Sequence, residues 1–417
     1  MDALKITGGV PLRGTVTVSG AKNAALPLLC VGLMGADELI LENLPALADT
    51  NSMIELLENH GLTVLRAQET VTISGSVSQF DAPYDLVARM RASILVLGPL
   101  LARYGQARVS LPGGCAIGTR PVDLHVKAMQ KLGATVELAD GYIQARAPKG
   151  LVGARIVFPF VSVGATENAI MAAVLAKGTT QLVQAAREPE IIDLAICLNA
   201  MGAKITGQGT DIITIKGVEA LQSARHRVLP DRIEAGSFAI GAAMTQGHLR
   251  LEAINPIHLD SLFDVMRETG AEISIGSDWA EIAATDRLQA VDIETQPFPG
   301  YATDLQAQYM AMMCLAEGSA VISETIFENR FMHVPELARM GANITVDGRS
   351  AVVKGRKSLK PAPVMATDLR ASVSLVLAAL SVNGTSQVNR IYHLDRGYSR
   401  LEEKLGACGA QLQRIQT

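Results

Sequence analysis

Two hydrophobic patterns alternate along the chain. In one, apolar residues run nearly unbroken, as in "AIMAAVLA" (169–176) and "SVSLVLAAL" (372–380). A helix that is apolar almost all round has no face to give to water, so these helices are expected inside the protein, enclosed by sheets. In the other, a glycine is followed by a short alternating stretch, a turn and a second such stretch. The segment "ANITVDGRSAVVKGRKSLKPAPV" (342–364) reads this way as strand, turn, strand. The apolar run Ala24–Ala36 is shorter than the roughly 20 residues a membrane span needs.

The two patterns recur with a fixed period. A helical stretch, then Gly, then a strand is found at "NHGLTV", "KLGATVEL", "AMGAKI", "ETGAEI", "RMGANI" and "ACGAQL". The glycines are Gly61, Gly133, Gly202, Gly270, Gly341 and Gly409, spaced by 72, 69, 68, 71 and 68 residues. A second series, Gly35, Gly105, Gly178, Gly247, Gly318 and Gly384, keeps the same rhythm. Each glycine suits a helix end that requires left-handed backbone. One unit of about 70 residues thus holds two helices, each leading into a strand, and six units fill the chain.

The last unit stops one strand short, at "AQLQRIQT", and the N-terminal "LKITGGVPLRGTVTV" resembles the missing piece. Residues 1–20 are therefore expected to close the last unit. This predicts two three-repeat domains, one of residues 21–229 and one of 1–20 with 230–417. A solenoid scaffold is the other architecture that repeats suggest. Its period is typically shorter, and its units would not carry chemically different residues at matched positions, as these do.

Composition narrows the class. Hydrophobic residues make up 48% and aromatic ones 4% of 417 residues, so the interior is aliphatic, as in an α/β enzyme. A net charge of −4 without basic runs excludes a nucleic-acid face. Five scattered cysteines and seven scattered histidines argue against a disulfide framework and against a metal site. No basic stretch leading into an apolar core follows Met1-Asp2, which predicts a cytoplasmic protein with no membrane association.

Candidate chemistry lies at the helix starts. The first helix of each unit opens at "SGAKNAA", "RMRASIL", "SVGATENAI", "RIEAGSF", "YATDLQAQ" and "MATDLRAS". These supply Lys22 and Asn23, Arg91, Glu167, Glu234, Asp304, and Asp368 with Arg370. Acids there favour the helix dipole, whereas Lys22, Arg91 and Arg370 oppose it and imply an anionic ligand. The second helices add Arg120, Asp123, Arg330 and Arg396. Between Leu111 and His125 the chain reads "LPGGCAIGTRPVDLH". Cys115 there sits among glycines and prolines that forbid regular structure, and Arg120 five residues on favours the thiolate. A loop-borne reactive cysteine is the reading. Cys30, Cys197, Cys314 and Cys408, in apolar or helical contexts, are read as packing, and His125 as incidental.

"SGAKNAALP", "LPGGCAIGTRPVDLH", "SVGATEN", "AAREPEI", "FENRFMHVPEL", "MATDLRAS" and "RIYHLDRGYSR" together resemble the UDP-N-acetylglucosamine 1-carboxyvinyltransferases, enolpyruvyl transferases of the EPSP synthase family. The resemblance covers essentially the whole chain. It implies an α/β fold of two inside-out barrels of three repeats with a cleft between them. It also implies transfer of the enolpyruvyl group of phosphoenolpyruvate to the 3′-hydroxyl of UDP-N-acetylglucosamine, the first committed step of peptidoglycan synthesis. No metal or organic cofactor is implied. Cys115 would be the acid, open to a covalent adduct and to fosfomycin, and Asp304 the base. Lys22, Asn23, Arg120, Asp368, Arg370 and Arg396 would hold or flank phosphoenolpyruvate. Asn23, Arg91, Arg120, Pro121, Val122, Asp123, Leu124, Ser162, Val163, Gly164, Asp304, Ile326, Phe327 and Arg330 would contact the sugar nucleotide. The chain departs from some relatives at Phe160, where they carry a lysine near the nucleotide. Two other readings are a transferase acting on shikimate 3-phosphate and a non-catalytic sugar-nucleotide sensor.

Overall fold

The computed structural model describes residues 2–111 and 122–416. These fall into two compact units: 20–111 with 122–229, and 2–19 with 230–416. Each has its own aliphatic core. No helix among the described residues is long and apolar enough to cross a membrane.

Among the described residues, six four-stranded sheets share one plan: a parallel pair, then two antiparallel neighbours. In the first unit, Ala224–Arg227 lies parallel to Glu38–Glu42, which pairs with Thr70–Gly75, which pairs with Leu62–Ala67. Leu41 stands opposite Val71, and both are fully buried. After each strand–turn–strand hairpin the chain crosses to the next sheet and adds its parallel strand. Asp81–Ala82 does this for Gln106–Ser110, and Arg155–Val157 for Thr179–Val183. Ala224–Arg227 returns to the first sheet and closes a ring of three. Inside that ring lie the helices Lys22–Val31, Leu97–Tyr104 and Val163–Val174; every residue of the first except Asn23 is buried.

The second unit repeats the arrangement around Arg232–Met244, Gln306–Met313 and Ser372–Leu380, the last two buried at every residue. Here the first and last described strands pair within one sheet. Asp2–Gly8 pairs antiparallel with Gln411–Gln416 on one side and with Gly384–Asn389 on the other. Only this first strand completes the last sheet. Arg13–Thr17 moves on and pairs in parallel with His248–Glu252 of the fourth repeat. The fold is thus an inside-out α/β architecture in both units.

All six glycines of the first series adopt positive φ, between 90° and 101°. The second series departs at Gly247. There the left-handed residue is Gln246, with φ of 51°. Gly247 is needed for space instead, because a Cβ would come within 2.1 Å of the Leu12 carbonyl oxygen.

Ile6 on the N-terminal strand is fully buried, whereas Lys5 beside it is exposed. Ile6→Ala is expected to destabilise the second unit by about 2–4 kcal/mol, and Lys5→Ala by less than about 0.5 kcal/mol. Urea unfolding reads both. Equal, small effects would mean that the strand is an ornament on the sheet, not part of its core.

Candidate active site

In the second unit, three successive repeats each place an aspartate at the start of a buried helix. Asp231 caps Arg232–Met244, its Oδ1 accepting from the backbone N–H of Ile233 at 2.8 Å and of Glu234 at 3.1 Å. Asp304 lies in the 3₁₀ turn Thr303–Leu305 that leads into Gln306–Met313. Asp368 Oδ1 accepts from the N–H of Arg370 and of Ala371, both at 2.7 Å, ahead of Ser372–Leu380. Caps of this kind satisfy the free N–H groups of a helix start.

Arg370 joins these starts. Its side chain is 2% exposed. It donates from Nη1 to the Gly397 carbonyl at 2.9 Å and from Nη2 to Asp231 Oδ2 at 3.3 Å, and Nε stands 3.6 Å from Asp304 Oδ2. Arg330 Nη2 contacts the other Asp304 oxygen at 2.8 Å and is itself 4% exposed. The Asp304 carboxylate is therefore flanked by two guanidinium groups while keeping 23% of its side chain open. Burial alone would lower both arginine pKa values. For Arg330, Asp304 and then Asp368 outweigh burial; for Arg370, Asp231 leads, so both stay above the ordinary arginine value and fully charged.

A neutral network supports the same turn. Gln308 Nε2 donates to the Asp304 carbonyl at 2.9 Å and lies 3.1 Å from both Ser237 Oγ and the Tyr398 hydroxyl. Tyr398 also packs its ring against Arg370. Burial raises its phenol pKa to about 12, so it remains a neutral hydroxyl.

Other predicted residues fall differently. Arg396 ends the turn Ile391–Arg396 and does not open a helix, because Arg390 and Arg400 both bend the chain with positive φ. Arg330 also precedes its helix, Val334–Arg339. The Glu234 carboxylate is held by Lys404 Nζ at 2.6 Å and the Ser19 N–H at 2.7 Å.

In the first unit, Lys22 opens its helix against the dipole and is compensated by an acid of the protein: Asp49 Oδ2 lies 2.8 Å from Lys22 Nζ, both side chains buried. Asn23 follows at the one partly exposed position of that helix. Arg91 opens a 3₁₀ turn, Arg91–Val96. Val122 precedes Asp123–Lys131, on which Asp123 takes Lys127 at 2.9 Å and Leu124 is buried. Ser162 caps Val163–Val174 through the Ala165 N–H.

His125 ties these pieces together. Its Nδ1 lies 3.0 Å from Asn168 Nδ2, which also donates to the Ile94 carbonyl, while Asn168 Oδ1 accepts from Gly98 N–H at 2.7 Å. As Asn168 Nδ2 can only donate, Nδ1 accepts and the ring is neutral with its proton on Nε2. Burial pushes its pKa down to about 4, opposed by Asp123 and assisted to a smaller degree by Arg91. A Cβ on Gly164 would stand 3.4 Å from this ring. His125, read as incidental, is thus the wedge that brings Asp123, Gly164 and Arg91 into one neighbourhood.

Cys115, Arg120 and Pro121 lie outside the described residues. The other four cysteines are buried, and burial raises their thiol pKa values, those of Cys197 and Cys314 to about 12. Phe160 is 57% exposed. Asp231, Asp49 and His125 were not identified from sequence; the signal for Asp231 was its place directly before the helix in "LPDRIEAG".

Known proteins resemble this chain along essentially its whole length. The family model described as EPSP synthase (3-phosphoshikimate 1-carboxyvinyltransferase) matches residues 6–405. Proteins of Gluconacetobacter diazotrophicus and Acidiphilium cryptum named UDP-N-acetylglucosamine 1-carboxyvinyltransferase are each 56% identical over the full length of both chains. The enolpyruvyl transferase NikO from Streptomyces tendae superposes with a TM-score of 0.88 at 26% identity, covering all of this chain and 99% of its own. The EPSP synthase of Acinetobacter baumannii, at 18% identity and a TM-score of 0.77 with both chains fully covered, shares the fold.

The neutral His125 makes a pH prediction. In NMR titration its ring is expected to charge only near pH 4. Its folded pKa is below its unfolded value of ~6.5, so its contribution to stability is present above pH ~6.5 and lost as pH falls toward 4. A midpoint above 6 would contradict the assignment.

Proposed function

The chain belongs to the EPSP synthase family of enolpyruvyl transferases, and we propose that it moves the enolpyruvyl group of phosphoenolpyruvate onto the 3′-hydroxyl of UDP-N-acetylglucosamine. The supporting observation is full-length identity of 56% to relatives that carry this name. We place the reaction in the cytoplasm, at the entry to peptidoglycan synthesis and hence to cell division and shape, with these two small molecules as its partners and no cofactor.

The reaction needs an acid, a base and cations. Cys115 gives a proton to C3 of the enol, which leaves C2 electron-poor. The sugar 3′-oxygen forms a bond to C2 while Asp304 takes the hydroxyl proton. C3 then returns a proton, the double bond reforms, and the bond from C2 to the phosphate oxygen breaks. Asp304 suits this role because its two arginine contacts orient the carboxylate while its side chain stays 23% exposed. Lys22, Arg120 and Arg396 supply positive charge for the phosphate and carboxylate of phosphoenolpyruvate, with Asn23, Asp368 and Arg370 beside them. Arg91, residues 121–124, 162–164, and Ile326, Phe327 and Arg330 receive the sugar nucleotide.

Mixing the two substrates with the protein is expected to release phosphate, and replacing the sugar nucleotide with shikimate 3-phosphate to release none. The opposite preference would overturn the acceptor assignment, and no release with either would support a sensor. Cys115→Ser, whose hydroxyl is a far weaker acid, is expected to abolish turnover. Cys115→Asp is expected to restore part of it at more acidic pH, since a carboxyl titrates near ~3.9 against ~8.5 for a thiol, and to escape inactivation by fosfomycin. Lys22→Ala or Arg396→Ala is expected to cost at least ~1.5–3 kcal/mol of transition-state binding. Wild-type kinetics in either would remove that residue from the site.

A further inference from the structure

Glu324 is a carboxylate with 1% exposure that carries no role in the reaction described above. It directly follows the strand Ser319–Ser323 and faces four donors. Its Oε1 accepts from Thr295 Oγ1 at 3.0 Å, the Ile326 N–H at 2.9 Å and the Phe327 N–H at 3.0 Å. Its Oε2 accepts from Thr303 Oγ1 at 2.8 Å. Thr295 is tied in turn to Thr325, whose N–H donates to Thr295 Oγ1 at 3.0 Å and whose hydroxyl donates to the Thr295 carbonyl.

The consequence is a bridge. Thr303 is the neighbour of Asp304 and shares its 3₁₀ turn. Ile326 and Phe327 form the turn that leads to Arg330, and the Phe327 ring lies 5.1 Å from the Arg330 guanidinium. One oxygen of Glu324 thus holds the turn with Ile326 and Phe327, and the other holds the turn with Asp304. Arg330 closes the loop by its own contact with Asp304. A buried carboxylate is retained only if its polar atoms are satisfied, and here the four donors come from the two turns and from Thr295, which directly follows the strand Ile293–Glu294.

We propose that Glu324 is a positioning residue that fixes the Ile326–Phe327 turn and the Asp304 turn in one register, so that the sugar nucleotide and the base that deprotonates it are aligned together. This rests on the reading that the acceptor is UDP-N-acetylglucosamine and is taken by Ile326, Phe327 and Asp304. The role belongs to geometry and not to charge. A glutamine in the same place keeps an acceptor oxygen toward Thr295 and the Ile326 and Phe327 amides, two of them sharing a lone pair, and donates from its NH2 to the Thr303 hydroxyl, which can turn to accept.

Four proteins test this: wild type, Glu324→Gln, Glu324→Ala and Thr303→Val. Steady-state kinetics with each substrate are paired with hydrogen exchange at the Ile326 and Phe327 amides. Glu324→Ala is expected to raise KM for UDP-N-acetylglucosamine about tenfold or more while KM for phosphoenolpyruvate moves less than about twofold. Glu324→Gln is expected to return both to within about twofold of wild type. Thr303→Val cuts only the link to the Asp304 turn, and is expected to lower kcat several-fold with the Ile326 and Phe327 amides still protected. Should Glu324→Ala not fold, Thr303→Val with wild-type kinetics overturns the proposal. So does a folded Glu324→Ala with unchanged KM for the sugar nucleotide, or a Glu324→Gln as impaired as the alanine variant. If the wild type itself releases no phosphate, the acceptor reading fails. The exchange measurement then still decides whether Glu324 holds the turn, because protection lost in Glu324→Ala and kept in Glu324→Gln needs no substrate.

Discussion

A guanidinium buried among helix starts is the constraint on which the second unit depends. Arg370 sits where the dipole of its own helix disfavours a cation. Burying it is tolerable only because Asp231, Asp304 and the Gly397 carbonyl surround it. Removing one partner of such a group typically costs about 3–5 kcal/mol, since the other charge is left without compensation. The two aspartates come from successive repeats, and Asp368 of the third caps the turn that carries Arg370. Repetition thus presents three helix starts, and one arginine ties them into a single charged cluster. The position and orientation of Asp304 follow from that cluster, from Arg330 on its outer side and from Gln308 beneath its backbone.

The first unit uses the same architecture with the signs changed. Its matched helix starts carry Lys22, Arg91 and Ser162 in place of the aspartates. Lys22 is balanced by Asp49 from the neighbouring helix Ala48–Asn59, and His125 stays neutral because Asn168 fills its Nδ1. Close helix packing makes this possible. Gly98 lies so near Asn168 that a Cβ would come within 2.4 Å of its side-chain oxygen. Similar backbones therefore present different charges at their helix starts.

Much of the fold was legible because it is written locally. The repeat period, the left-handed glycines and the helices without a polar face each depend on neighbours within a few positions. The exceptions show where local reading stops. Gln246 takes the left-handed turn and Gly247 answers to Leu12, far away in sequence, so a glycine needed for space was read as one needed for its φ. Arg13–Thr17 pairs with the fourth repeat and not the sixth, a choice set by ring closure. The residues missed at the site share this property. Asp231 meets Arg370 across 139 positions, and Glu324 and Asp49 act through contacts that no motif displays. An arginine at a helix start was recognised as needing an anion, but the anions that meet it in the second unit belong to the protein itself.

The most direct test of this account is kcat/KM for Arg370→Lys, measured beside thermal unfolding. Lysine keeps the charge but not the planar fork that reaches Asp231, Asp304 and the Gly397 carbonyl together. If Arg370 sets the geometry of Asp304, the variant folds with a lowered melting temperature and loses at least about tenfold in kcat/KM. A folded Arg370→Lys protein with wild-type kcat/KM would contradict it.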